Sequence, residues 1–234
     1  MRIDFVTLFP ELFAPVMGSS IVGRAAKAGL VQWGCVNPRD FAKDRRRTVD
    51  GRPYGGGPGM VLMAQPLADA IGSVERKGSR VVFLSPQGKP FRAATARRLS
   101  KVKRLILVCG HYEGVDERAR CLFDEELSIG DYVLTGGELP ALVVADAVVR
   151  LLPGALKKEE AVLKESFASG LLDFPQYTRP RVWRRKAVPE ALFCGDHGRV
   201  ERWRAQAALA ATRRKRPDLL SPLIFSRASA RPGD

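Results

Sequence analysis

The sequence predicts an α/β protein with a mainly parallel β-sheet, followed by a small, basic and helical C-terminal piece. Segments typical of strands and helices alternate up to Leu152, which is the pattern of βαβ units with helices on both faces of a parallel sheet. The charge is distributed unevenly along the chain. Residues 1–176 hold 25 Lys and Arg against 20 Asp and Glu, a net +5, whereas residues 177–234 hold 14 against 5, a net +9.

The elements of the first part follow from apolar periodicity and from Pro or Gly at segment ends. The first strand is rich in β-branched and aromatic residues and stops at Pro10, the first helix stops at Gly29, and the last stops at Pro153-Gly154. In chain order we predict the strand Ile3–Phe9, the helix Ser20–Leu30, the strand Val31–Val36, an Arg- and Gly-rich loop over 40–59, the helix Leu67–Lys77, the strand Arg80–Leu84, the helix Arg92–Lys101, the strand Leu105–Cys109, the short helix Asp116–Leu122 and the long helix Leu139–Leu152.

The chain changes character after the last of these helices. Residues 155–176 include the charged run Lys157–Glu160 and the small residues around 166–170, which predicts an exposed linker. From Tyr177 the chain is basic and predicted to be helical, most clearly over Val200–Arg214.

Composition and charge exclude some classes of protein. No apolar run approaches the roughly 18 residues that span a membrane, and the N-terminus lacks the apolar centre of a signal peptide, so we expect a cytoplasmic protein. The four cysteines and two histidines have no zinc-ligand spacing. A net charge of +14 attracts polyanions, nucleic acid above all, with a basic surface that has no partner as the alternative.

Three glycine-containing loops lie after predicted strands or before the long helix, at residues 85–88, 109–114 and 129–138. Ligands of open parallel sheets bind beyond the carboxyl ends of the strands, and glycine lets the backbone approach them closely. None of the loops has a Walker or Gly-x-Gly-x-x-Gly pattern. Each alone is typical of a tight turn, but the three together predict a small-molecule pocket.

Two further features have both a functional and a structural interpretation. Tyr54–Met60 holds four glycines in five positions, which suits either a loop that meets another surface through its backbone or a flexible linker. Asp173 is a single carboxylate in the predicted linker, and an isolated Asp is typically a turn or cap residue.

Together these motifs resemble those of the bacterial tRNA (guanine-N1)-methyltransferases. The matching segments run in the same order along almost the whole chain: Pro53–Met60, Leu84–Gly88, Cys109–Arg118, Ile129–Pro140, Gly170–Pro180, and Val188–His197 with Trp203 and Arg204. The chain departs from the family pattern at Gly51, where an acidic residue is common, and at Cys194, where a serine is expected.

The resemblance implies a fold of the SPOUT class, in which part of the sheet domain forms a deep trefoil knot, and a homodimer with each active site shared between chains. It assigns residues 1–160 to the S-adenosylmethionine-binding SPOUT methyltransferase domain, 161–176 to an interdomain linker and 177–234 to a basic helical tRNA-binding domain. The implied reaction is methylation of N1 of guanosine 37 in the tRNA anticodon loop, 3′ to the anticodon, giving 1-methylguanosine. The family's activity is described as magnesium-dependent, and we expect any Mg²⁺ to act through the substrates.

The resemblance also implies individual site residues. Arg150 and Asp173 match the family's catalytic pair. The residues matched to cofactor binding are Leu84, Ser85, Pro86, Gln87, Gly88, Cys109, Gly110, Tyr112, Glu113, Gly114, Ser128, Ile129, Gly130, Tyr132, Val133, Leu134, Gly136, Gly137 and Pro140.

The chemistry of the reaction is consistent with these roles. Guanine N1 carries a proton at neutral pH, so a base must remove it as the methyl group arrives, and a carboxylate within hydrogen-bond reach is sufficient. We assign this role to Asp173. His111 is the alternative base, because histidine is the residue most often used for this role, but it lies in a cofactor loop, where we expect it to shape the pocket. Arg150 would stabilise the charge that develops on the exocyclic oxygen, and Glu113 the cationic donor.

Two other functions compete with this interpretation. One is a methyltransferase of the same fold that acts on ribosomal RNA or on ribose, against which the segment around Asp173 argues. The other is a non-enzymatic RNA-binding module, which accounts for the charge but not for three glycine loops.

Overall fold

The structure is a computed structural model and describes residues 1–157 and 165–220. The chain divides into two compact units, Met1–Lys157 and Lys158–Asp234. The domain limits at residues 160 and 176 stay a prediction. No helix within the described ranges has the length and apolar character to cross a membrane.

The first unit is an α/β fold around a parallel sheet, as predicted. Five strands form this sheet in the order β2-β1-β6-β5-β7, and every neighbouring pair is parallel. The strands are β1 (Arg2–Val6), β2 (Gln32–Val36), β5 (Ser79–Pro90), β6 (Arg104–Cys109) and β7 (Glu125–Ser128), and the short strands β3 (Asp50–Gly51) and β4 (Val61–Leu62) pair separately as an antiparallel ladder. The helices are α1 (Phe13–Met17), α2 (Ser20–Lys27), α3 (Ala64–Val74), α4 (Ala93–Leu99) and α5 (Glu138–Val149).

Alternation along the strands divides the core between the two faces of the sheet. In β6, Leu105 and Leu107 join one apolar cluster with residues of α1, α2, α4 and α5, whereas Ile106 and Val108 join a second cluster with residues of α3. All four of these β6 side chains are fully buried, because the strand lies between β1 and β5 in the sheet and both of its faces are covered. A near-continuous apolar strand of this kind is typical of a parallel sheet covered on both faces.

Several predicted boundaries are wrong. The first strand ends at Val6 rather than Phe9, because the Thr7 hydroxyl accepts the Phe9 N–H at 3.0 Å and a 3₁₀ turn begins at Pro10. The helix predicted over Leu67–Lys77 is α3, which begins and ends three residues earlier.

The predicted loop at residues 85–88 lies within β5. The strand continues to Pro90, and a bulge between Leu84 and Lys89 interrupts its register with β7. We did not predict β7 because its first residues are Glu125 and Glu126, which are not typical of a strand. Arginines compensate these carboxylates: Arg98 pairs with Glu125 at 2.6 Å, and Arg120 pairs with Glu126.

Over residues 165–220, the second unit is less helical than predicted. A hairpin of β8 (Val182–Trp183) and β9 (Lys186–Ala187) stands where we predicted helix from Tyr177 onward. Both residues of its turn, Arg184 and Arg185, have positive φ, as a type I′ hairpin requires. The predicted helix Val200–Arg214 is confirmed within α6 (His197–Lys215), which begins where the Asp196 side chain accepts the Arg199 N–H at 3.0 Å.

Candidate active site

A cavity of about 320 Å³ lies in the first unit, beyond the carboxyl ends of β6 and β7 and beside the bulged segment of β5 between Leu84 and Lys89. The three glycine-containing loops converge on it, as predicted. Its lining consists of Phe83, Leu84, Ser85, Pro86, Gln87, Gly110, His111, Tyr112, Glu113, Gly114, Val115, Glu117, Arg120, Leu127, Ser128, Ile129, Gly130, Tyr132, Val133, Leu134, Thr135, Gly136, Gly137 and Pro140.

Two of the residues matched to cofactor binding do not line this cavity. A Cβ on Gly88 would lie 2.5 Å from the Leu127 backbone, so Gly88 instead lets β5 approach β7 closely. Cys109 is buried behind the second loop, where a Cβ on Gly137 would lie 2.7 Å from its Cα. Burial, and then the Glu138 carboxylate, raises the pKa of the Cys109 thiol well above its usual value, so this thiol is protonated at neutral pH.

The second and third loops are joined directly by their backbones. The Gly137 N–H donates to the Gly110 carbonyl at 2.7 Å, and His111 forms a bridge to Gly136. A Cβ on Gly136 would lie 2.3 Å from Glu138 Oε2 and 2.6 Å from His111 Nδ1. A side chain at position 136 would displace the Glu138 carboxylate and the His111 ring, so glycine lets the two loops form one wall of the cavity.

A buried carboxylate lies behind this wall. Glu138 is only 4% exposed, and its Oε1 accepts a hydrogen bond from the Thr7 hydroxyl at 2.9 Å. It is the first residue of α5, where a negative charge is favoured by the helix dipole. His111 Nδ1 is also buried and has no hydrogen-bond partner within the described residues. Glu138 was not predicted from the sequence, because a Glu at a helix start has an ordinary structural explanation.

The glycine-rich segment Tyr54–Met60 contacts the second loop through its backbone. This agrees with the first interpretation of the segment, a loop that meets another surface, rather than with a flexible linker. The Glu113 N–H donates to the Met60 carbonyl at 2.9 Å, and a Cβ on Gly59 would lie 2.3 Å from Glu113 Oε1. Gly59 also has a φ of +83°, which favours glycine. This contact holds the backbone of Glu113 at the cavity.

Arg120 is a cavity residue that we did not predict. Its guanidinium donates to Gln87 Oε1 at 2.9 Å and pairs with Glu117 and Glu126. The hydrogen bonds from Arg120 to Glu117 and then to Glu126 raise the pKa of Arg120 further. The first loop is therefore tied to the segment that follows the second loop. A basic residue in the predicted short helix next to the second loop was the available signal.

The predicted catalytic pair is divided between the two units. Arg150 caps the C-terminal end of α5 in the first unit. Asp173 lies in the second unit, half-buried, where Oδ1 accepts the Phe174 N–H at 2.8 Å and Oδ2 accepts the Gln176 side-chain amide at 3.1 Å. These contacts resemble the turn that we gave as the alternative, but a carboxylate has about four acceptor positions and keeps some for a substrate. The roles of both residues stay a prediction.

The described residues 1–157 and 165–220 contain no group of three or more His, Cys, Asp or Glu side chains able to hold a metal ion.

Comparison with known proteins identifies the family. The family model described as tRNA (Guanine-1)-methyltransferase TrmD matches residues 1–222. A relative named tRNA (guanine-N(1)-)-methyltransferase from Ruminiclostridium cellulolyticum is 52% identical over 227 residues, covering 95% of this chain and 97% of its own length. Relatives of the same name from Caldanaerobacter subterraneus subsp. tengcongensis and Salmonella paratyphi A are 52% and 49% identical, covering 94% and 99% of this chain and 92% of each relative. The chain therefore belongs to the tRNA (guanine-1)-methyltransferase family.

Proposed function

We propose that this protein transfers a methyl group from S-adenosylmethionine to N1 of guanosine 37 of tRNA, giving 1-methylguanosine. The observation that carries the proposal is the convergence of three loops with family motifs on one cavity at the carboxyl edge of the sheet. The names of relatives about 50% identical over nearly the whole chain support the reaction type.

The cavity fits the cofactor in size and chemistry. Its volume of about 320 Å³ is within the usual range for small-ligand sites. Side chains such as Leu84, Ile129 and Leu134 offer apolar surface to an adenine ring, and glycine backbone lets the loops approach a ligand. Glu113 supplies one carboxylate near a cationic donor. When bound, S-adenosylmethionine supplies an electrophilic methyl group that needs no activation by the protein.

The catalytic pair then has two separate tasks. Asp173 removes the N1 proton as the methyl group is transferred, and Arg150 stabilises the negative charge that deprotonation places on the exocyclic oxygen. We assign no step to magnesium, since the described residues offer no carboxylate cluster for a resident ion.

An exposed apolar stripe on α5 supports a homodimer. Leu139 and Val143 are 59% and 47% exposed, and their spacing places them on one face of the helix. Val16 of α1, which packs against α5, is also exposed. Arg150 follows Val143 by seven residues on the same face, so a second chain covering this stripe would reach the predicted catalytic arginine. A self-complementary apolar patch is a common basis for a two-fold dimer.

We include the trefoil knot and the tRNA-binding role of residues 177–234 in the proposal. The close backbone approach of Gly137 to Gly110 and of Gly88 to Leu127 suits a chain threaded through a loop. The exposed basic residues of the last turn of α6, including Arg213 and Arg214, suit contacts with phosphates.

The direct test is methyl transfer from labelled S-adenosylmethionine to unmodified tRNA, with the product nucleotide located by mass spectrometry. We expect 1-methylguanosine at position 37.

The role of Asp173 is tested by Asp173→Asn, which keeps the size of the side chain but removes its basicity. The single-turnover rate should fall by about 10²–10⁴, with little change in the affinity for tRNA or for S-adenosylmethionine. The residual rate should rise with pH as solvent takes over proton removal.

Other outcomes identify the competing functions. A modified ribose or ribosomal RNA base would indicate the same-fold alternative, and absent cofactor binding in calorimetry would indicate an RNA-binding module. Near-normal chemistry in Asp173→Asn would make Asp173 a structural residue.

Sharing of the site between chains is tested by mixing two inactive variants. Leu134→Arg fills the cavity from a partly exposed position, and Asp173→Asn removes the base. If the site is shared, half of the randomly mixed dimers are hybrids with one intact site of two, so activity should recover to about a quarter of normal. No recovery in a mixture shown by native mass spectrometry to contain hybrids would mean that each chain forms its own site.

A further inference from the structure

One buried hydroxyl in the second unit contacts the segment that carries the predicted catalytic carboxylate. Thr212 is fully buried and is the one buried residue of α6, whose other residues are at least partly exposed. The Thr212 hydroxyl donates to the Ala208 carbonyl at 2.8 Å, as helical threonines commonly do. It also accepts the backbone N–H of Leu172 at 3.0 Å, and this residue directly precedes Asp173.

Residues on the other side of Asp173 contact the same helix. The Arg204 guanidinium lies 5.0 Å from the centre of the Phe174 ring, and the Tyr177 ring lies 6.2 Å from that of Trp203. Positions 204, 208 and 212 are four residues apart and therefore share one face of α6. The chain is thus held against this face on both sides of Asp173.

The Asp173 carboxylate itself makes only local contacts among those described. Its oxygens accept hydrogen bonds from the Phe174 N–H and the Gln176 side-chain amide, and the backbone N–H of Asp173 donates to the Ser166 hydroxyl at 2.9 Å. Where the carboxylate lies relative to α6 therefore depends on how the flanking backbone is anchored. The Thr212 hydroxyl is a specific anchor, because the Leu172 N–H would lose its hydrogen-bond acceptor without it.

We propose that Thr212 is a positioning residue for this reaction: through the Leu172 N–H it holds the Asp173 segment on α6, so that the helix that meets tRNA also orients the base. The proposal rests on the proposed function, in which Asp173 is the general base. It adds a role for the buried Thr212 hydroxyl, which accepts a hydrogen bond from Leu172, 40 residues earlier in the chain.

The test compares two substitutions in the full-length protein. Thr212→Val keeps the branched shape but cannot accept the Leu172 N–H, whereas Thr212→Ser keeps the hydroxyl. A displaced base should lower the single-turnover rate in Thr212→Val by about 10- to 100-fold, with tRNA and cofactor affinities changed less than about twofold. Thr212→Ser should restore most of the rate. The residual rate of Thr212→Val should rise with pH, like that of Asp173→Asn.

A double-mutant cycle separates positioning from general damage. In the Asp173→Asn background, Thr212→Val should cause little further loss, because the base that it positions is already absent. An equal loss in both backgrounds, or a normal rate in a folded Thr212→Val protein, would overturn the proposal. Failure of the proposed function is a separate result, since wild type would then not methylate guanine N1 or Asp173→Asn would remain active. Thermal unfolding of each variant shows whether it is folded in the assay.

Discussion

At the scale of single residues, the buried Glu138 side chain links the first strand region to the wall of the cavity. Oε1 accepts from Thr7, and Oε2 lies against the backbone of Gly136. Glu138→Ala should lower the free energy of unfolding by about 1–3 kcal/mol, because the Thr7 hydroxyl loses its buried acceptor. It should also weaken cofactor binding, since the third loop loses support.

The control for this prediction is Glu138→Gln, which keeps an acceptor for Thr7 at nearly the same volume. We expect it to retain most of the stability that Glu138→Ala loses. Urea unfolding and calorimetric titration with S-adenosylmethionine measure the two effects. Equal stability of the alanine variant and wild type would show that the hydrogen bond between Thr7 and Glu138 contributes little.

At the scale of elements, the contact between β5 and β7 depends on the absence of a side chain at Gly88. A Cβ there would lie 2.5 Å from the Leu127 backbone, and backbone in a sheet cannot move aside as a side chain can. Gly88→Ala should therefore lower stability by about 1–3 kcal/mol. Cofactor affinity should fall as well, because the bulged segment before Lys89 lines the cavity.

Gly72→Ala is the matched control on an element away from the site. Gly72 is an exposed residue within α3, and a Cβ there would meet nothing within 4 Å. Since alanine favours a helix over glycine, the free energy of unfolding should rise by up to about 1 kcal/mol. Denaturant unfolding of both variants measures these opposite changes in the free energy of unfolding. Unchanged stability in Gly88→Ala would mean that β5 and β7 can separate without cost.

At the scale of the whole molecule, the skewed charge predicts binding to tRNA that depends on salt. Each neutralised phosphate releases counterions, so affinity should fall steeply as salt rises. Arg213 and Arg214 are exposed in the last turn of α6. Replacing both with Gln should reduce the slope of log affinity against log salt by about 0.7–0.9 for each phosphate that the variant no longer neutralises.

Arg24 and Lys27 offer a matched pair for this measurement. Both are exposed on α2 of the first unit, and replacing them with Gln removes the same charge. We expect the slope for this control to stay close to that of wild type in filter-binding titrations. Equal slopes for both double variants would show that net charge, rather than α6, determines the salt dependence.

Apolar patterning and motif order made much of this protein predictable. The buried strand β6, the helices α2 to α5 and the parallel sheet follow from local apolar segments, whereas the short helix α1 was not predicted. Seventeen of the nineteen residues matched to cofactor binding line one cavity, because the carboxyl ends of parallel strands meet at one edge of the sheet. Gly88 and Cys109 are the exceptions, since each lets backbone segments pack behind the lining.

Only the tertiary structure revealed the elements that depend on distant partners. The strand β7 is polar in sequence and forms because arginines from elsewhere neutralise its carboxylates. The hairpin at Val182–Ala187 depends on two positive-φ arginines that no residue preference indicates. Glu138 and Thr212 are ordinary helix residues in sequence, and their burial depends on Thr7 and Leu172, 131 and 40 residues away. Periodicity records which side of a segment is buried, whereas a polar contact between distant segments leaves no period to detect.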